Sequence, residues 1–93
     1  MSRKILIVDD DAAIRTLLVK LLDDDYEVAT AASGEEALIV AAIYRPDIVL
    51  LDIMMPGLDG IETCQQFKTG MPQEIVPHVI MVSAHSSSEE QLR

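Results

Sequence analysis

Ninety-three residues make one small domain, and a hydrophobic content of 49% is enough to build a core, which argues against disorder. Sixteen acids against seven bases give a formal charge of −9, so the chain has no basic patch for a phosphate backbone and suits a cation or a basic partner instead. A lone cysteine, Cys64, fits a reducing cytoplasm, and the absence of both an 18-residue apolar run and a signal peptide predicts a soluble, cytoplasmic protein without membrane contact.

The first apolar run, Ile5-Leu6-Ile7-Val8, ends in Asp9-Asp10-Asp11. It reads as a strand buried on both faces and finishing in acids. Asp11 is placed to cap the following helix, in which Ile14, Leu17, Leu18, Leu21 and Leu22 recur at helical spacing and form an apolar face. Asp23-Asp24-Asp25 should stop that helix, since like charges at a C-terminus oppose its dipole.

Tyr26 to Ala31 alternates and predicts an outer strand. Ser33, three residues before Glu36, matches a capping box for a helix from about Gly34 to Tyr44, which Pro46 ends. This second helix is apolar on more than one side, through Ile39, Val40, Ala42 and Ile43. Incidental surface apolarity would explain that, and so would a contact surface for a partner or a second copy.

The central stretch runs from Ile48 to Asp52 and on through Met54-Met55-Pro56-Gly57. Four apolar residues pass directly into an acid at a turn, which places Asp52 at the carboxyl end of a buried strand, where open α/β sheets bind ligands. Asp59 would cap a third helix with Ile61, Cys64 and Phe67 facing inward. Gly70, Pro72 and Pro77 mark a loop. Val79-Ile80-Met81-Val82 predicts a fourth buried strand ending at Ser83-Ala84, and Ser86 to Glu90 looks like another helix start. Strands alternating with helices mean a parallel sheet with helices on both faces.

Parallel strands bring all their C-terminal ends to one edge. Asp9, Asp10, Asp52 and Ser83 therefore meet there. Two carboxylates about 4 Å apart repel by roughly 4 kcal/mol at an effective dielectric near 20, so the cluster must raise a pKa or hold a cation. All-oxygen ligands with room for water favour magnesium over zinc. A carboxylate beside such an ion is a competent nucleophile toward phosphorus, with Ser83 at hand for a phosphoryl oxygen, and this predicts an acyl phosphate on Asp52. His78 and His85 lack ligand-like spacing, and Asp11 and Asp59 suit caps better than ligands.

Ile5 to Asp11, Leu50 to Gly60 and Val82-Ser83-Ala84 together strongly resemble the receiver domain of bacterial two-component response regulators. The resemblance spans residues 1–93 in order. It implies a flavodoxin-like, doubly wound parallel sheet. The strand order here would be 2-1-3-4, with the family's fifth strand and fifth helix absent. It further implies that Asp52 accepts a phosphoryl group from a sensor histidine kinase or phosphotransfer protein. The chain would thus be a phosphoacceptor with at most slow self-dephosphorylation rather than an enzyme. Mg²⁺ would be held by Asp9 through water, by Asp10 and Asp52, and by the backbone carbonyl of Met54. Ser83 would be the switch hydroxyl, and the backbone of Ala84 would touch the phosphoryl group. No lysine follows Ser83, where the family carries one on its fifth strand.

A fourth strand without a neighbour is an exposed edge, so the chain is expected either to be part of a longer protein or to self-associate, pairing as a homodimer through the uncovered sheet. Three rivals remain. A haloacid-dehalogenase-type phosphatase needs an acid two residues after the nucleophile, where this chain has Met54. A flavin carrier needs phosphate donors after the first strand, where Asp9-Asp10-Asp11 would repel the phosphate. An interaction module with an incomplete acid pocket, never phosphorylated and self-associating, is the reading that the missing lysine favours.

Overall fold

The computed structural model describes residues 3–52, 60–72 and 76–82. Its elements are β1 (Lys4–Val8), α1 (Ala12–Leu22), β2 (Glu27–Ala31), α2 (Gly34–Tyr44), β3 (Ile48–Asp52), α3 (Gly60–Gly70) and β4 (His78–Val82). The four strands form one parallel sheet in the order β2-β1-β3-β4. This is the flavodoxin-like arrangement. The chain steps one way from β1 to β2, then back the other way from β2 past β1 to β3 and on to β4. Right-handed crossovers then put α1 on one face and α2 and α3 on the opposite face.

The covered face holds the main core. Leu6 and Val8 of β1, Ala31 of β2, and Val49 and Leu51 of β3 pack with Ala37 and Ala41 of α2 and Phe67 of α3. Small alanines let α2 lie close to the sheet, and Phe67, with no exposed surface, fills the space beneath α3. The central strand β1 is buried from Ile5 to Val8, as its unbroken apolar run requires.

Helix ends follow the sequence closely. The Asp11 side chain accepts hydrogen bonds from the amides of Ala13 (2.9 Å) and Ile14 (3.4 Å). The Ser33 hydroxyl accepts from the Glu36 amide at 3.1 Å, while the Glu36 carboxylate reaches back to the amide of Ala32 at 2.8 Å, one residue earlier than the capping box specifies. At the other end of α2, Arg45 takes a left-handed conformation, with φ 54°, and its amide donates to the Ala41 carbonyl. The following Pro46 is buried. Below the sheet, Lys4 and Asp47 exchange two bonds. The Lys4 amide donates to the Asp47 carboxylate, and the Asp47 amide donates to the Lys4 carbonyl, both at 2.8 Å. They tie the start of β1 to the start of β3.

Three expectations need correction. No residue of α1 is buried, and Leu17 and Leu21 are largely exposed, so its inward side is the half-buried set Ile14, Leu18 and Leu22. In α3, Ile61 faces solvent. The buried stripe is Gly60, Thr63 and Phe67, spaced by three and four residues. Finally, β4 is not buried on both faces. Only Val79 packs on the core, while Ile80, Met81 and Val82 are exposed, because β4 pairs with β3 alone among the described strands.

Candidate functional site

The site forms where β1 and β3 finish side by side. Val8 is in register with Leu51, so the next residues, Asp9 and Asp52, fall at the same level of the sheet edge. Asp9 stays attached to the sheet, since its amide donates to the Ala31 carbonyl at 3.1 Å. Asp52 closes β3 in register with Val82 of β4. Their exposures are 3% and 1%, values that carboxylates rarely reach without compensating charge or hydrogen bonds.

The turn after β1 is built from hydrogen bonds to Asp9. One carboxylate oxygen accepts the Asp11 amide at 2.9 Å, and the main-chain carbonyl accepts Nη1 of Arg15 at 2.6 Å. Asp11 then caps α1 and serves as its first acceptor, taking the Arg15 amide on its carbonyl at 3.1 Å. Asp10, held between these two residues, is exposed.

Carboxylate oxygens of Asp9, Asp10 and Asp52 lie within 4.8 Å of one another. The donor set contains oxygen only, with no thiolate or imidazole, and one of its three acids opens to solvent. That composition fits a hard divalent cation that keeps some of its water, and it fits Mg²⁺ better than Zn²⁺. A dication would also answer the repulsion among three nearby negative charges. Asp11 is not part of this set, in keeping with its role as a cap.

Of the residues assigned from sequence, Asp9, Asp10 and Asp52 come together. Met54, Ser83, Ala84, Asp59 and His85 lie outside the described residues. His78 stands exposed at the opposite end of β4, away from the acids, and Cys64 is half-buried against the core. Arg15 was missed from sequence. Its position four residues after the capping Asp11 was a usable signal, because a side chain one turn into a helix leans back toward the N-terminus.

A family model described as the response regulator receiver domain matches residues 5–93. The chain belongs to this family. Among curated receivers, it is 45% identical over 85 residues to the alkaline phosphatase synthesis transcriptional regulatory protein PhoP of Bacillus subtilis, covering 90% of this chain and 34% of PhoP. It is 46% identical over 85 residues to the response regulator PleD of Caulobacter vibrioides, covering 90% of this chain and 18% of PleD. The chain thus spans about a third or less of the length of these relatives. Among solved receivers, the chemotaxis protein CheY4 of Vibrio cholerae superposes with a TM-score of 0.81 at 33% identity, covering 99% of this chain and 77% of CheY4. Two-component signalling is the general setting of such a receiver. Among its described residues, no helix is long and apolar enough to cross a membrane.

Proposed function

We propose that this receiver accepts a phosphoryl group on Asp52 from the phosphohistidine of a sensor histidine kinase or phosphotransfer protein. The observation that carries this reading is the convergence of Asp9, Asp10 and Asp52 within 4.8 Å at the C-terminal edge of a parallel sheet. In the reaction, an Asp52 carboxylate oxygen bonds to phosphorus as the bond from phosphorus to the donor imidazole breaks, and the leaving imidazole takes up a proton. Asp52 is fixed for this by its place as the last residue of β3. Asp9, Asp10 and Asp52 would hold Mg²⁺, joined by the Met54 carbonyl. The ion supplies charge neutralisation and in-line alignment of the phosphoryl oxygens when bound. Ser83 would donate its hydroxyl to a phosphoryl oxygen, and the backbone of Ala84 would contact the group.

The product is an aspartyl phosphate, with about −1.5 to −2 of added charge by analogy with other phosphoryl groups. That charge biases a two-state element near Ser83 and so switches an output. The names of PhoP and PleD describe regulators, and the chain would serve as the input module of such a protein in the cytoplasm. It is a phosphoacceptor rather than an enzyme, with at most slow self-dephosphorylation, and it makes no direct contact with nucleic acid.

Beryllofluoride with Mg²⁺ tests the reading. Nuclear magnetic resonance shifts of the β1–α1 turn and of β4 should move in the wild type and stay in place in Asp52→Asn. Identical behaviour of the two proteins would refute it.

A second reading has its own support. Leu17, Leu21, Ile80 and Val82 are exposed apolar residues on α1 and β4. In that reading the chain is an interaction module that pairs as a homodimer through the uncovered sheet, without phosphorylation.

A further inference from the structure

Asp9 is held more completely than its role as an outer ligand requires. Its amide is fixed to β2 through the Ala31 carbonyl, and one carboxylate oxygen is fixed by the Asp11 amide. Its carbonyl is taken by the guanidinium of Arg15 at 2.6 Å, a short, charge-assisted bond from a half-buried side chain. The same arginine is anchored by its amide to the Asp11 carbonyl. Arg15 therefore grips both ends of the three-residue segment that carries Asp10.

We propose that Arg15 is a positioning residue for the acid pocket: by clamping the Asp9 carbonyl, it fixes the turn that sets Asp9 and Asp10 against Asp52. The inference rests on the reading that this pocket binds Mg²⁺. It adds a part for a residue outside the ligand set. A carbonyl at the end of a strand could be satisfied by water, and water would leave the turn free to rotate. A guanidinium tied to the first turn of α1 removes that freedom. An arginine suits the task because its planar fork delivers a donor in a fixed direction.

Position and charge give opposite signs, which makes the clamp testable. Deleting a positive charge near a cation site strengthens binding of a dication by Coulomb's law alone. Deleting a group that orients ligands weakens it, by about tenfold or more for groups that hold metal ligands in place. Lys20, exposed on the same helix, supplies the charge control.

The experiment is a calorimetric titration of MgCl₂ into the wild type, Arg15→Met, Arg15→Lys and Lys20→Met, with urea midpoints recorded in EDTA. The expected result is an Mg²⁺ Kd about tenfold weaker in Arg15→Met, an intermediate value in Arg15→Lys, and little change in Lys20→Met. Amide hydrogen exchange at Asp11 should quicken in both Arg15 variants. An unchanged or tighter Kd in Arg15→Met overturns the proposal, as does equal weakening in Lys20→Met. If the EDTA midpoint shows that Arg15→Met does not fold, Arg15→Lys decides, and a Kd and Asp11 exchange rate equal to wild type overturn the clamp. A wild type that binds no Mg²⁺ defeats the metal reading itself, and the clamp with it, in a way that no variant comparison can mimic.

Discussion

At the scale of single residues, the two ends of the sheet handle charge differently. At the C-terminal edge, the three acids Asp9, Asp10 and Asp52 converge. At the N-terminal edge, one lysine and two acids surround a tyrosine. The Lys4 ammonium stands 5.3 Å from the centre of the Tyr44 ring, and Glu27 and Asp47 lie close to the same tyrosine. Burial, with the negative charge of Glu27 and then Asp47, pushes the Tyr44 phenol from 10.0 up to about 12. The sign of the consequence is fixed by linkage. The folded protein holds this proton more tightly than the unfolded chain, so the contribution is intact below pH 10. It is lost as pH rises from about 10 to about 12. Tyr44→Phe has no such proton. Relative to that variant, the wild type should lose roughly 1–2 kcal/mol across this window, after allowance for solvent screening. Urea unfolding of both proteins from pH 9 to pH 12 measures it, and parallel curves would exclude Tyr44 as the source.

At the scale of elements, local chemistry explains most of what the sequence made legible. The positions of β1 and β3 followed from apolar runs that stop at acids, and the starts of α1 and α2 followed from Asp11 and Ser33, both of which cap as their residue types demand. The three convergent acids were readable for the same reason, because parallel strands leave no choice about which edge their ends share. Facing directions were less legible. In α1 five large apolar residues span more than one stripe, and only docking against β1 and β2 selects Ile14, Leu18 and Leu22 over Leu17 and Leu21. In α3 the hydrophobicity of Ile61 misleads, while Thr63, buried completely, shares the stripe of Phe67. The Ser33 cap carries its own prediction. Its hydroxyl satisfies the Glu36 amide, so Ser33→Ala should lower stability by about 1 kcal/mol. A shifted urea midpoint at constant slope is the expected signature, and a null shift would mean that water replaces the hydroxyl without loss.

At the scale of the whole molecule, the two faces of the sheet are unequal. Two helices cover the face of Leu6, Val8, Val49 and Leu51, whereas α1 alone is described on the other, over β1 and β2. Ile80 and Val82 stand in register with Leu50 and Asp52, and so belong to the side that α1 only partly covers. Leu17 and Leu21 are exposed on α1 itself, at 53% and 64%. Exposed apolar residues gathered on one side of a sheet are candidates for a contact surface. Among the described strands β4 lies at the edge of the sheet, where its backbone groups could pair with a second strand. In the homodimer reading, pairing of two copies across this side is concentration-dependent and dissociates over about a hundredfold dilution. Ile80→Lys together with Leu21→Glu places charge on both sides of the patch and should hold the protein monomeric under light scattering, where the wild type gains mass with concentration. Ile43→Glu makes the discriminating control, since Ile43 is 81% exposed on α2, on the opposite face. If Ile43→Glu abolishes association and the double variant does not, the copies meet through α2. If the wild type scatters as a monomer throughout, the open side is not a self-contact.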